Sequence, residues 1–195
     1  LVAAVSPNGS LAGEVAVLLG NGDGAFQAQQ RFAVGQIPRG VAVAELTGDG
    51  VVDLVVANSN NTFVSLLRGN GNGTFQTQQF LSLGSNSARA VAVGDVNGDG
   101  TRDIVTANNA NSVSVLLGNG NGAFQAVRQF AAGSASLAVA TGDLNNDGIA
   151  DVVTANANSN DVSVLLGNAS GNLASQQRFI AGSNPFSVAI ADLNN

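Results

Sequence analysis

Oxygen-bearing side chains recur at fixed positions in a nine-residue stretch, residues 95–103. Positions 1, 3, 5, 7 and 9 are Asp95, Asn97, Asp99, Thr101 and Asp103, and position 6 is Gly100. Oxygen ligands that alternate along a short loop can all point inward, and a glycine permits the sharp turn that encloses a hard cation such as Ca²⁺. The stretch therefore predicts a calcium site made of four side chains and the backbone carbonyl at position 7.

The same stretch returns three more times along the chain. The copy at 143–151 supplies Asp143, Asn145, Asp147, the carbonyl of Ile149, and Asp151. The copy at 45–53 supplies Glu45, Thr47, Asp49, the carbonyl of Val51, and Asp53. Glu45 is longer than the Asp of the other copies and Thr47 offers only a neutral hydroxyl, so a weaker calcium site is predicted there. A fourth copy begins with Asp192 and Asn194, and it would bind only if the rest of its loop were supplied.

The ligand types and the spacing separate calcium from its alternatives. The chain has no His and no Cys, which disfavours zinc and copper. An EF-hand would require a Glu at loop position 12 and flanking helices, and neither is indicated. A solvated Asp/Asn/Gly turn is the alternative for any single copy. Recurrence from positions 45, 95, 143 and 192 favours metal loops, and clustered carboxylates indicate a structural role for the cation.

Each loop is followed by the same succession of short hydrophobic runs and turns. After the loop at 95–103 come runs at 104–107, 112–117, 124–131 and 137–141, separated by Asn-rich or Gly-rich turns. Four short strands in a period of about 49 residues are typical of a propeller blade. The sequence predicts an all-β fold, a β-propeller or propeller-like array of four-stranded antiparallel blades, with about four blades present.

The repeat divides the chain into one array. Residues 1–35 are predicted to hold strands two to four of a partial blade, residues 36–84, 85–133 and 134–182 one blade each, and residues 183–195 the first strand of a further or closing blade. Three arrangements fit these ends: a window from a longer array, a ring in which the last strand completes the first blade, and a head-to-tail fibre in which it completes another copy.

The text Asp-x-Asn-x-Asp-Gly-x-x-Asp at 95–103, with Val-Ser-Val-Leu-Leu-Gly-Asn-Gly-Asn-Gly-x-Phe-Gln at 113–125, closely resembles the FG-GAP-like (VCBS-type) repeat. That repeat is related to the β-propeller of the integrin α-subunit. The resemblance implies a propeller, commonly of seven blades, with calcium in the loop between the first two strands of a blade. It also implies extracellular adhesion, recognition or accessory modules more often than catalysis.

Composition argues against several other functions. Ten of the 13 acidic residues lie in the four loop copies, which leaves few carboxylates for catalysis in a chain without His or Cys. We therefore expect no enzymatic activity. The seven basic residues, all arginine, form no basic stripe, which disfavours nucleic acid. No apolar run approaches the roughly 20 residues of a membrane-spanning helix, so no membrane insertion is expected.

A ligand, if one binds, is predicted on the face opposite the metal loops. That face carries the Asn-rich turns at 58–61, 108–111 and 156–160, together with Arg39 and Arg89, and this chemistry suits protein or carbohydrate. Possible glycosylation sequons begin at Asn8, Asn60, Asn72 and Asn168. The recurring phenylalanines at 26, 75 and 124 are predicted to pack between blades.

The functional prediction is a non-enzymatic, calcium-stabilised repeat protein that is extracellular or at the cell surface. It would serve surface structure, adhesion or fibre building, with self-association through its terminal strands. The alternatives are a carbohydrate-binding, lectin-like module and a non-catalytic accessory domain of a secreted lyase or hydrolase.

Overall fold

The computed structural model describes residues 1–6 and 11–193, and this part of the chain is built from β-strands and turns. In these described residues, fifteen strands form four antiparallel sheets, which we call blades 1 to 4. Blade 1 contains β1 (Val2–Val5), β2 (Gly13–Val17) and β3 (Gln30–Val34). Blade 2 contains β4 (Pro38–Ala44), β5 (Asp53–Asn58), β6 (Phe63–Leu67) and β7 (Gln79–Ser82).

Blades 3 and 4 repeat the plan of blade 2. Blade 3 contains β8 (Ala88–Gly94), β9 (Asp103–Asn108), β10 (Ser112–Leu116) and β11 (Arg128–Ala131). Blade 4 contains β12 (Ser136–Gly142), β13 (Asp151–Asn156), β14 (Asp161–Leu165) and β15 (Gln177–Ile180). Within each sheet, consecutive strands are hydrogen-bonded neighbours. The predicted all-β meander of four-stranded blades is confirmed.

The core lies between successive blades. The second strands β5, β9 and β13 are buried along their whole length, and β5 and β9 have a neighbouring blade on each face. Three hydrophobic clusters fill the spaces between blades 1 and 2, between blades 2 and 3, and between blades 3 and 4. A strand covered on both faces favours a continuous run of Val, Ile, Leu and Ala, and this explains the short unbroken apolar runs in the sequence.

The recurring phenylalanines lie at the start of the segment that leads to each outer strand. Phe75 packs against the cluster between blades 1 and 2, and its ring meets that of Phe32 edge to face, with centroids 5.3 Å apart. Phe124 packs against the cluster between blades 2 and 3. Phe26 is half-exposed, because no blade covers that side of blade 1 in the described residues. The predicted inter-blade packing is therefore confirmed for two of the three.

Residues 183–193, predicted as a first strand, form no strand in the described part of the chain. The segment nevertheless follows the path of one. A methyl group added at Gly142, at the end of the first strand of blade 4, would lie 3.2 Å from Cγ2 of Ile190. In the same way, a methyl group added at Gly94 in blade 3 would contact Thr141 in the first strand of blade 4, so Ile190 occupies the position of a first-strand residue. A strand needs a hydrogen-bonded neighbour, and this segment pairs with none of the described strands. Head-to-tail pairing through it stays a prediction.

A buried asparagine ends the second strand of blades 2, 3 and 4. In blade 3, the hydroxyl of Thr106 donates to Oδ1 of Asn108 (2.8 Å), and Thr154 does the same for Asn156 in blade 4 (2.9 Å). Residues two apart on a strand share a face, so the equivalent donor position in blade 2 is Val56. Oδ1 of Asn58 is accordingly buried without a hydrogen-bond partner in the described structure.

We predict that Val56→Thr stabilises the protein by about 0.5–1 kcal/mol, because the new hydroxyl supplies the acceptor of Asn58 with its missing donor. Chemical denaturation measures the change. The matched control is Thr106→Val, expected to destabilise by about 1 kcal/mol. Thr154→Val should cost less, because the hydroxyl of Ser136 also donates to Oδ1 of Asn156 (2.8 Å). A loss of stability in Val56→Thr similar to that of the control would contradict this account of the asparagine.

Candidate functional site

The first carboxylate of each loop holds the loop backbone in shape. Oδ1 of Asp95 accepts hydrogen bonds from the N–H groups of Gly98 (2.7 Å) and Asp99 (3.2 Å), and its Oδ2 accepts one from Gly100 (2.8 Å). Asp143 makes the corresponding bonds in the loop at 143–151. The N–H of Gly148 lowers the pKa of Asp143 against a smaller opposing effect of burial, and further backbone N–H groups add to it.

The loop at 45–53 has the same design with a longer first side chain. Oε1 of Glu45 accepts from the N–H groups of Thr47 (2.8 Å) and Gly48 (2.6 Å). At position 4 the backbone takes a positive φ in all three loops, 76° at Gly48, 71° at Gly98 and 60° at Asn146. Asn is one of the few side chains that tolerate this conformation, so the third loop keeps its shape without a glycine there.

The side chains at positions 3 and 5 of the loop are joined by a hydrogen bond. Oδ1 of Asp99 accepts from the N–H of Thr101 (2.8 Å), and its Oδ2 accepts from Nδ2 of Asn97 (2.8 Å). Asn145 and Asp147 form the same amide–carboxylate bond, at 2.9 Å. The hydroxyl of Thr101 is the main cause of a lowered pKa of Asp99. The exposed carboxylate of Asp99 is therefore stabilised in its ionised form.

The carboxylate at position 9 is fully buried and joins the loop to a distant turn. In each case one oxygen accepts from the position-2 N–H of its own loop and the other from a glycine N–H after the third strand. The residues are Asp53 with Leu46 and Gly69, Asp103 with Val96 and Gly118, and Asp151 with Leu144 and Gly167. We call this arrangement the Asp clamp. Sequence reasoning assigned these residues only as metal ligands and missed the clamp.

Burial and neighbouring charges disfavour ionisation of two of the clamp carboxylates, Asp103 and Asp53. Burial raises the pKa of Asp103 to about 6 against the lowering effect of its two backbone hydrogen bonds, and the charges of Asp99 and Asp95 raise it further. The pKa of Asp53 is raised for the same reasons, with Asp49 and Glu45 as the neighbouring charges. The acidic side chains of one loop are thus close enough to destabilise each other's ionised forms.

The donor set of the loops suits a hard cation, since it consists of carboxylate, amide and carbonyl oxygens. Within residues 1–6 and 11–193, however, no group of three or more His, Cys, Asp or Glu side chains is arranged so that it could hold a metal ion. The carboxylates are turned towards backbone N–H groups instead. Asn194 of the fourth copy lies outside the described residues, and Asp192 lies within them. The calcium sites stay a prediction.

On the opposite face, the two arginines predicted to meet a ligand contact turns of their own blades. Nε of Arg39 donates to Oγ of Ser59 (3.4 Å), and Arg89 donates to Asn109 in the Asn-rich turn of blade 3. Asn109 also bonds Oγ of Ser87 (2.7 Å). Nδ2 of Asn109 also donates to the carbonyl of Ser59 in blade 2 (3.4 Å), so the structure links the polar groups of the two blades.

Three of the sequon asparagines are exposed in turns, namely Asn60, Asn72 and Asn168, and Asn8 lies outside the described residues. Glycosylation stays untested at all four. The described part of the chain contains no helix that is long and apolar enough to cross a membrane.

The FG-GAP-like repeat model matches three overlapping segments, residues 45–106, 95–154 and 143–195. The chain belongs to the FG-GAP-like repeat family. Each matched segment begins at position 1 of a loop, so the family repeat has the same phase as the internal repeat in the sequence. FG-GAP-like repeats are typically extracellular and non-catalytic. No curated protein sequence matches the chain.

Solved structures with the same fold include a lectin and a sialidase. An Agrocybe aegerita lectin, described for specific recognition of non-reducing terminal N-acetylglucosamine, aligns with 23% identity and a TM-score of 0.55 over 91% of this chain and 51% of its own. The K499G mutant of NanB sialidase from Streptococcus pneumoniae aligns with 11% identity and a TM-score of 0.58 over 87% of this chain and 29% of its own. The FG-GAP-like chain therefore spans about half of the lectin, and these similarities show a propeller-like fold.

Proposed function

We propose that this chain is a calcium-stabilised, non-catalytic repeat array of an extracellular or cell-surface protein, where it serves surface structure or adhesion. The observation that carries the proposal is the recurrence of one loop between the first and second strands of three blades, at residues 45–53, 95–103 and 143–151. The oxygen-bearing groups take the same positions in each copy. A site repeated with the fold itself is a component of the fold, so we assign the cation a structural role.

The electrostatics of the loops support a bound cation. The raised pKa of Asp103 reflects burial and the charges of Asp95 and Asp99, which a nearby divalent cation would offset. In this proposal Asp95, Asn97 and Asp99 hold the ion with the carbonyl of Thr101. Each oxygen of Asp103 accepts one N–H in the Asp clamp and keeps a lone pair that can face the ion.

The carboxylates outside the loops support a non-catalytic function. Asp161 is almost fully buried. Burial would raise its pKa, but hydrogen bonds from Asn156, Arg178 and Ser159 and the charge of Arg178 hold the pKa below its usual range. Glu14 pairs with Arg31 at 2.9 Å, and Asp23 accepts the N–H of Ala25. Each of these groups has a local structural role, and the chain has no His or Cys to act as a base or nucleophile.

Direct calcium binding tests the proposal. Isothermal titration should show two to three ions per chain, and Asp99→Ala and Asp147→Ala should each remove one, because these exposed carboxylates lie at position 5 outside the Asp clamp. Asp23→Ala, which removes an exposed carboxylate outside the loops, is the matched control and should change nothing. The proposal fails if no heat of binding appears at calcium concentrations of about 1–10 mM, the range of extracellular modules.

Carbohydrate recognition is the second candidate, supported by the Agrocybe aegerita lectin that shares the fold. In this case the face with the Asn-rich turns, Arg39 and Arg89 would meet the sugar through amide and guanidinium groups. A glycan array separates the two candidates, since a structural or adhesion module that recognises protein gives no saccharide signal.

A further inference from the structure

The last two strands of each blade carry two side chains at equivalent positions of the repeat, and the residue types at these positions differ among the blades. The residues are Glu14 and Arg31 in blade 1, Phe63 and Phe80 in blade 2, Ser112 and Gln129 in blade 3, and Asp161 and Arg178 in blade 4. Blades 1 and 4 carry ion pairs there. In blade 2 the two phenylalanine rings pack together instead, with centroids 4.5 Å apart. Phe80 is nevertheless 61% exposed.

Phe80 belongs to an outermost strand that has a free edge. In the described structure β7 is the last strand of its sheet, with β6 as its neighbour. The N–H of Leu83 bonds the carbonyl of Thr62 across that pair. Because hydrogen-bonded residues alternate along an antiparallel pair, Leu81 also faces β6, and the backbone groups of Phe80 and Ser82 point outward. These outward groups can accept another strand.

Charge protects the other outer edges but not this one. The outer strands β3, β11 and β15 carry Arg31, Arg128 and Arg178, whereas β7 reads Gln-Phe-Leu-Ser without a charged residue. A charged side chain on an edge strand opposes pairing with another strand, and an uncharged edge with exposed apolar side chains favours it. β7 is therefore the outer strand in the described residues that is best suited to strand addition.

We propose that β7 pairs antiparallel with β7 of a second copy of this chain, so that the two blades form one continuous sheet across a two-fold axis. A pairing centred on Leu81 matches the outward N–H and C=O of Phe80 with those of Ser82 of the partner subunit. The rings of Phe63 and Phe80, which pack against each other at 50°, then extend an apolar surface across the interface between the two copies.

The choice of a second copy follows from two-fold symmetry. An isologous pairing brings each residue close to its own copy, so an edge with an arginine brings two like charges together. β11 would meet this repulsion at Arg128, and β3 and β15 would have to desolvate their ion pairs, whereas β7 would meet neither cost. The proposal is independent of the calcium function, because none of its residues belongs to the loops.

Sedimentation velocity of the full chain, with saturating calcium, tests the proposal. We expect a monomer–dimer equilibrium with a Kd of about 10–100 µM, because an interface of two short strands is small and therefore weak. The double variant Phe63→Glu with Phe80→Arg gives blade 2 the ion pair of blade 1 and adds no net charge. It should melt as cooperatively as the unmodified chain and should weaken dimerisation at least about tenfold.

The reciprocal variant, Glu14→Phe with Arg31→Phe, should add a second uncharged edge and produce species larger than dimers. A chain that stays monomeric at several hundred micromolar, about ten times the expected Kd, overturns the proposal. A double variant in blade 2 that dimerises as strongly as the unmodified chain also overturns it, and assigns self-association to other strands such as the terminal ones.

Discussion

Replacing Asp103 with alanine should lower the free energy of unfolding by about 3 kcal/mol in excess chelator, and by at least as much with calcium, where a proposed ligand is lost as well. The side chain is fully buried, and its two oxygens accept the N–H groups of Val96 and Gly118 at 2.9 and 2.8 Å. Alanine leaves both N–H groups buried without an acceptor, and each unpaired group costs about 1–3 kcal/mol. Loss of a carboxylate whose pKa is raised by burial returns part of this cost.

The comparison between Asp103→Ala and Asp99→Ala in chelator separates the Asp clamp from metal ligation. Asp99 is exposed and bonds only groups of its own loop, so its removal should cost less than about 0.5 kcal/mol without calcium. Urea denaturation at neutral pH gives both values. If Asp103→Ala were neutral in chelator and destabilising only with calcium, the carboxylate would act as a ligand alone. Asp53→Ala and Asp151→Ala should repeat the result in blades 2 and 4.

Chelation should lower the melting temperature by about 10–20 °C. A cation that binds only the folded state stabilises it by about 2.7 kcal/mol per site at a hundredfold excess over Kd, so two sites contribute about 5 kcal/mol. For a chain of this size, each kcal/mol corresponds to about 2–4 °C. The loop backbone is already held by carboxylate–amide hydrogen bonds, so the chelated protein should remain folded at room temperature.

Differential scanning calorimetry with calcium and with excess chelator measures the shift. Sodium chloride at about 1 M is the control, because it screens surface charge repulsion without entering an oxygen cage. The same upward shift in salt as in calcium would mean that general screening stabilises the chain. An unchanged melt in excess chelator would contradict the structural role of the ion and leave the Asp clamp as the principal function of the loop carboxylates.

The phase of the repeat was predictable because it depends on local chemistry. Glycine and asparagine mark backbone positions of positive φ, as at Gly100 (84°) and Asn146 (60°), and short apolar runs such as residues 54–57 mark strands buried on both faces. The strand order, the blades and the family all followed from these patterns. The last segment did not, because residues 183–193 have the composition of a strand but no described strand beside them.

By itself, the sequence determined the fold class, the four-blade repeat, and the residue types that line each loop. The tertiary structure alone decided what those residues contact. It placed Asp103 against Gly118 of a distant turn, left Oδ1 of Asn58 without a donor, and exposed Phe80 on an uncharged edge. The physical reason is range: turns and strand periodicity are set by neighbours in sequence, whereas a buried hydrogen bond or a free edge depends on chain segments brought together by folding.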